Sequence, residues 1–152
     1  MNAAEWDTAY ASEVATWHYE PPYDFYDLAS DPHDEAEMRD PAHAAQYRAV
    51  LAKGSDVLDA FWYFNPQGDV VEVGIGLRPD LTGRGLGESF LRAQLDYAMG
   101  EWGPATFRLF VAAWNERAIR LYERLGFSEV GRETRHFELV GEHEFVQMER
   151  TA

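Results

Sequence analysis

Residues 70–91 alternate, then turn, then wind, and few folds accept that succession. Val71, Val73, Ile75 and Leu77 alternate with Glu72, Gly74 and Gly76, the period-two pattern of a strand over Val70–Leu77. Leu77-Arg78-Pro79-Asp80 ends it, because Pro79 cannot continue a ladder. Leu81-Thr82-Gly83-Arg84-Gly85-Leu86-Gly87 follows, and Phe90, Leu91, Leu95 and Ala98 then recur at helical spacing. A helix is predicted from Gly87 to Met99, closed by Gly100, Gly103 and Pro104. A glycine turn feeding a helix N-terminus presents free N–H groups and the positive end of the helix dipole, which suits an anion. The plainer reading of the same turn is a tight connection that holds nothing.

The common phosphate fingerprints do not fit. The third glycine of G-x-G-x-x-G falls on Glu88 when counted from Gly83, on Phe90 from Gly85 and on Pro79 from Gly74. The P-loop needs Gly-Lys, and the only lysine, Lys53, precedes its glycine.

Leu77-Arg78-Pro79 with Gly83-Arg84-Gly85-Leu86-Gly87 resembles the acyl-CoA loop of the GNAT superfamily of N-acyltransferases, patterned R/Q-x-x-G-x-G/A. Further on, Asn115-Glu116-Arg117-Ala118-Ile119-Arg120-Leu121-Tyr122-Glu123-Arg124-Leu125-Gly126-Phe127 resembles the family's N-x-x-A-x-x-L-Y-E-x-x-G-F at every fixed position. The likeness is detailed from Val70 to the C-terminus and loose over the N-terminal third. Thr82 occupies the place of the family's Arg or Gln. That departure touches one side-chain contact near the pyrophosphate and leaves the backbone contacts as they are.

The resemblance implies an α+β (mixed α/β) fold, a twisted mixed sheet of about six to seven strands with helices on both faces. It implies a single N-acetyltransferase domain over residues 1–152, with acetyl-CoA as acyl donor, an amine acceptor and no metal. The pantetheine arm is expected between two splayed parallel strands, paired with the backbone at Leu77. Backbone N–H groups from Gly83 to Glu88 would hold the pyrophosphate. The expected donor-binding set is Leu77, Arg78, Pro79, Thr82, Gly83, Arg84, Gly85, Leu86, Gly87 and Glu88, with Asn115 and Ala118 from the second signature. Arg78 and Arg84 would supply local positive charge. A homodimer is compatible with the resemblance.

Composition narrows the function from the other side. A hydrophobic content of 46% with 14% aromatics supplies a core and argues against disorder. No signal peptide or membrane-length apolar run is visible, and the absence of cysteine excludes thiol catalysis, so a cytoplasmic protein is expected. A formal charge of −14 argues against nucleic acid. It favours a cationic acceptor such as an amine, or serves solubility alone. The five histidines show no metal-ligand spacing.

Taken in order, Ala4–Trp17 is expected to be a helix, from the spacing of Trp6, Tyr10, Val14 and Trp17. The proline-broken segment that follows is dense in aromatics, and Trp17, Tyr19, Tyr23 and Tyr26 are candidates for an acceptor-pocket wall. The competing reading is a flap packed on the core. Asp31–Asp40 reads as a short acidic helix with Asp31 as N-cap and Pro32 at its first position. Strands are expected over Gln46–Lys53 and Val57–Asn65, with a hairpin loop at Asn65–Asp69. Thr106–Ala113 is a further strand, parallel to Val70–Leu77. Asn115 can cap the next helix, whose stripe is Ala118, Leu121, Tyr122 and Leu125 and which Gly126 ends. Phe127–Val140 and Glu142–Arg150 form a last hairpin around Gly141.

Transfer of an acyl group from a thioester to an amine needs a base for the acceptor and an acid for the leaving sulfur. Glu72 is the only carboxylate on its strand, on the face bared by Gly74 and Gly76, and is the candidate base. The family's strand glutamate falls nearer Val71, so a bulge would be needed to align the two. A solvent-facing structural Glu72 is the alternative. Tyr122 lies where the resemblance is tightest and is the candidate acid, against an ordinary core tyrosine. The rival from another class is a catalytically silent acyl-CoA-binding or sensor domain; a longer-acyl transferase is a second.

Overall fold

The computed structural model describes residues 1–103 and 105–151. Its strands are β1 (Asn2–Glu5), β2 (Tyr47–Leu51), β3 (Leu58–Gln67), β4 (Val70–Leu77), β5 (Thr106–Ala112), β6 (Ser128–Phe137) and β7 (Gly141–Thr151). Its α-helices are α1 (Tyr10–Val14), α2 (Pro32–Arg39), α3 (Gly87–Trp102) and α4 (Glu116–Arg124). One sheet runs β1-β2-β3-β4-β5-β7-β6. Every neighbouring pair is antiparallel except β4 and β5, which are parallel and joined through α3. This is the mixed sheet expected from the sequence.

Alternation along β3 divides the interior in two. Ala60, Trp62 and Phe64 turn to one face, where Val71 and Val73 of β4 and Phe90, Leu91, Leu95 and Ala98 of α3 meet them. Leu121 and Ile119 of α4 pack on the same cluster. Phe61 and Tyr63 turn to the other face, against Trp6, Val14, Trp17 and Met38. Helices therefore cover both faces, and each large apolar side chain so buried contributes roughly 1.5–3 kcal/mol.

The N-terminus departs from expectation. Residues Ala4–Trp17 are not one helix; β1 pairs with β2 from Asn2↔Leu51 to Glu5↔Arg48, and only Tyr10–Val14 winds. The helical spacing of Trp6 and Tyr10 is coincidental: Trp6 donates its indole N–H to the Met38 carbonyl at 3.1 Å, a partner far along the chain. Asp7 turns the chain by accepting from the Ala9 N–H at 2.9 Å. Helix α2 forms as read, with Asp31 accepting from His33 and Asp34 N–H groups and Pro32 at the start. That cap contributes about 1 kcal/mol.

Several boundaries move; β2 ends at Leu51 rather than Lys53 and β6 at Phe137 rather than Val140. Strand β3 continues through Pro66 to Gln67, leaving only Gly68 and Asp69 as the turn. β2 stops opposite Tyr63, so the missing N–H of Pro66 breaks no ladder on that side. Helix α3 runs through Gly100 to Trp102, and Gly103, at φ 76°, ends it. Pro104, the other expected terminator, lies outside the described residues. Asn115 caps α4 and Gly126, at φ 92°, follows it, as the sequence indicates. No helix among the described residues is long and apolar enough to cross a membrane.

Candidate active site

The β4–β5 ladder has three rungs, Val70↔Thr106, Val71↔Phe107 and Glu72↔Arg108, and then the strands part. β4 keeps its pairing to β3, and β5 its pairing to β7, for their whole lengths. The inner edges of Val73–Leu77 and Leu109–Ala112 thus face a gap, and a cavity of about 460 Å³ runs through it. Leu77, Asn115, Tyr122, Glu72, Tyr63 and the aromatic segment all line it.

Glu72 stands at the last rung, half-buried and in the cavity wall. Val71 points into the core, 1% exposed, and the β3–β4 register runs without a shift. There is no bulge, and Glu72 is the strand's cavity-facing carboxylate. Burial pushes its carboxyl up, Arg135 and then Arg108 pull it back, and Glu133 pushes it up again. The face beside it is not bare. A methyl group at Gly76 would collide with the Phe61 ring, and one at Gly74 would touch Tyr63 at 3.5 Å. These glycines make room for rings of β3 rather than for a ligand lying on the strand.

Tyr122 faces the same cavity from α4. Burial, and next the neighbouring Tyr26, push its phenol well above the ordinary range, so it stays protonated. Its ring meets Phe127 edge-on at 6.1 Å. Among the described residues none bonds its hydroxyl, unlike those of Tyr19 and Tyr26.

Those two tyrosines tie the aromatic segment across the gap. Tyr19 donates its hydroxyl to the Leu77 carbonyl at 2.6 Å. The Tyr26 oxygen accepts from Asn115 Nδ2 at 3.1 Å and from the Ala112 N–H at 3.4 Å. Arg117 lies 4.1 Å over the Tyr23 ring, and Asp27 accepts from the Tyr19 N–H at 2.9 Å. Trp17 stacks on Phe61 at 6.2 Å and belongs to the core as much as to the wall. Flap and pocket wall are therefore the same structure. Tyr26→Phe would strand the buried Asn115 amide, and a loss of about 1–2 kcal/mol is expected in urea unfolding.

The donor-binding residues divide. Gly83 and Gly85 sit at φ 72° and 73° with nothing within 4 Å of an added methyl group. Gly87 begins α3, where a methyl group would meet Leu121 Cδ2 at 3.1 Å; it is small for helix packing. Leu86 precedes α3 without a side-chain cap, so the first N–H groups of this 16-residue helix are uncapped. The turn therefore fits a pyrophosphate. Pro79 starts a 3₁₀ turn, and Thr82 closes it by donating to the Pro79 carbonyl at 2.6 Å.

One expectation needs correction, and the surroundings of Asn115 and Glu88 can be added. Arg78 does not supply free positive charge: it pairs with Asp80 at 2.6 Å and Asp59 at 3.2 Å. Arg84 is exposed and remains the turn's cation. Asn115 uses both polar atoms within the protein, Oδ1 accepting from the Ala118 N–H at 3.2 Å and Nδ2 donating to Tyr26. Glu88 offers its N–H, while its carboxylate lies 3.8 Å from Arg92 and 3.9 Å from Arg124. Sequence reasoning also missed Asp34, Glu37, Tyr47, Tyr63, Gln94 and Arg135 in the cavity wall. The alternation of β3 could have offered Tyr63; nothing local ties the others to the site.

Residues 6–127 match the family described as Acetyltransferase (GNAT) family. The mycothiol acetyltransferase of Propionibacterium freudenreichii is 40% identical over 65 residues, 43% of this chain and 20% of that protein. The N-alpha-acetyltransferase RimI of Mycobacterium tuberculosis is 37% identical over 67 residues, 44% of this chain and 40% of that protein. The alignments with these two relatives thus take in less than half of either protein. The spermidine N(1)-acetyltransferase of Vibrio cholerae is 27% identical over 139 residues, 88% of this chain and 77% of that one. A solved chimera of Vibrio cholerae spermidine N-acetyltransferase SpeG and hSSAT superposes at TM-score 0.74 with 20% identity, covering 99% of this chain and 96% of that one. The likeness to that structure shows the fold. With the family match spanning most of its length, this chain belongs to the GNAT acetyltransferase family.

Proposed function

We propose that this chain moves an acetyl group from acetyl-CoA directly to a primary amine of a small molecule or peptide. The observation that supports this most is the parted β4–β5 pair with Glu72 at its last rung and Tyr122 in the same cavity. The relatives named as N-acetyltransferases support an amine acceptor. Acetyl-CoA supplies an activated carbonyl and a sulfur leaving group. The amide N–C bond forms as the C–S bond breaks. Glu72 takes the amine proton, directly or through water, and Tyr122 gives one to the sulfur. The Gly83–Glu88 backbone would hold the pyrophosphate and Leu77 the pantetheine arm.

Release of free coenzyme A on addition of amines tests this reading. Binding of acetyl-CoA with no transfer to any amine would point to an acyl-CoA-binding protein instead. A preference for propionyl- or succinyl-CoA would change the acyl group. Glu72→Gln is expected to lower kcat roughly ten- to a hundredfold, within general-base experience. Glu72 works as a carboxylate and its pKa is raised, so kcat falls as pH drops through that raised value. Arg135→Gln removes a cation that favours the carboxylate, and the acid limb moves to higher pH. An unmoved limb in both variants would leave water as the base.

A further inference from the structure

The parted strands turn backbone groups of opposite kind into the gap. The Arg78 N–H donates to the Asp59 carbonyl on β3 at 2.9 Å. The Leu77 carbonyl, across the same trans peptide, therefore points away from β3 and into the gap. The Ala113 N–H donates to the Glu144 carbonyl on β7 at 2.9 Å. Successive N–H groups of an extended chain point to opposite sides, so the Ala112 N–H faces the gap as well. Neither group is open. Tyr19 donates to the Leu77 carbonyl at 2.6 Å. The Tyr26 oxygen accepts from the Ala112 N–H at 3.4 Å and from Asn115 Nδ2 at 3.1 Å.

Both phenols belong to one strap. Trp17 and Leu28 are buried at its ends, and none of residues 18–27 between them is buried. Phe25 holds the middle, with the His143 ring at 4.5 Å and the Phe137 ring at 5.2 Å. Tyr26 is 41% exposed, yet its hydroxyl ends on Asn115, which is 7% exposed, so it reaches into the gap from outside. It is also the neighbour that the Tyr122 phenol feels, so it stands where the leaving sulfur must arrive. A segment with few buried side chains opens at low cost, and displacing a phenol needs only its side chain to turn.

The extended arm of coenzyme A wants the same groups. It carries amides, each offering an N–H and a carbonyl. An amide N–H suits the Leu77 carbonyl, and an amide carbonyl suits the Ala112 N–H or Asn115 Nδ2. The hydroxyl of Tyr19 stands in the path of such an arm, and that of Tyr26 holds the donors the arm would use.

We propose that Tyr19 and Tyr26 form a latch across the donor groove: in the free protein their hydroxyls stand in for the pantetheine amides on Leu77, Ala112 and Asn115, and acetyl-CoA enters by displacing them. This rests on the reading that places the donor arm at Leu77. The latch keeps the bared strand edges satisfied while the groove is empty. It also weakens donor binding, by the fraction of molecules in which it is shut.

Coenzyme A binding is measured by calorimetry and stopped flow on the parent protein, Tyr19→Phe, Tyr26→Phe and the double variant. Each substitution keeps the ring and removes one hydroxyl. Each single variant is expected to lower the dissociation constant roughly two- to tenfold, the range of one hydrogen bond, and the double variant at least about tenfold. The gain should lie in the association rate, because more molecules are open and phenylalanine makes no polar contact with the arm. Coenzyme A should also narrow the stability gap that Tyr26→Phe opens in urea, since the arm then satisfies the Asn115 amide. Tyr19→Phe strands only a carbonyl, so it carries the test where Tyr26→Phe fails to fold. Unchanged affinity, with the same stability gap at saturating coenzyme A, would make the phenols purely structural and overturn the latch. Weaker binding, or a gain that lies in slower dissociation, overturns it too. Binding by neither the parent nor any variant overturns the donor reading and the latch together, whereas equal binding by all overturns the latch alone.

Discussion

Gly85→Val is expected to raise the dissociation constant for acetyl-CoA at least about a hundredfold, with the protein still folded. Gly85 lies at φ 73°, where a β-branched residue is strained by roughly 1–3 kcal/mol. Nothing lies within 4 Å of the position, so the side chain itself meets no clash. A typical domain survives such a cost, since its stability is about 5–15 kcal/mol. What does not survive is the turn's geometry, which aims backbone N–H groups at the start of α3, and the open approach to them. Gly83→Val should act alike, at φ 72° with the same open surroundings. Gly87→Ala differs in kind, because its methyl group meets the end of the Leu121 side chain, which can move. Gly100→Ala, inside α3 with open space, is the control and should leave binding alone. Calorimetry on folded variants is the measurement. Undiminished affinity at both Gly83 and Gly85 would move the phosphate site elsewhere.

The half of the fold from β4 onward is legible because its signals are local. Alternation in Val71–Leu77, the glycines before α3, the Asn115 cap and the Gly126 stop each lie inside or beside the element they specify. The N-terminal strand is not legible. Ala3 and Ala4 carry no β signal of their own, and what makes them a strand is pairing with Val50 and Ala49, far along the chain. Trp6, Tyr10, Val14 and Trp17 imitate a helical stripe while serving two elements and the aromatic segment that follows.

The site divides in the same way. Glu72 and Tyr122 can be nominated from their own strand and helix, whereas Arg78, whose 2.6 Å partner Asp80 stands two residues on, gains its second partner only when Asp59 arrives from β3. The glycines facing Glu72 look like an opening until Phe61 and Tyr63 fill the face. The acids of α2 read as a solvated helix face. Only the sheet's assembly brings Asp34 and Glu37 into the wall of the cavity that Glu72 enters.

Tyr122→Phe isolates one hydroxyl, and it is expected to lower kcat roughly ten- to a thousandfold, a range bracketing usual general-acid contributions. The ring stays, and with it the packing on Phe127 and the apolar cluster of α3 and α4. The hydroxyl carries no hydrogen bond from the described residues, so its removal strands no partner, and unfolding free energy should change by less than about 1 kcal/mol. That separates Tyr122 from Tyr26, whose oxygen two N–H groups depend on. A phenol raised by burial is a reluctant acid towards water. It is a better match for a thiolate appearing in the gap beside it, where the new charge favours a donor at hand. The affinity for acetyl-CoA should stay nearly as it is, because the bond in question forms only as the sulfur leaves. A single-turnover measurement makes the chemical step visible. If the step is as fast in Tyr122→Phe as in the parent protein, the residue packs and water supplies the proton. If it slows while binding and stability hold, the hydroxyl of α4 protonates the leaving group.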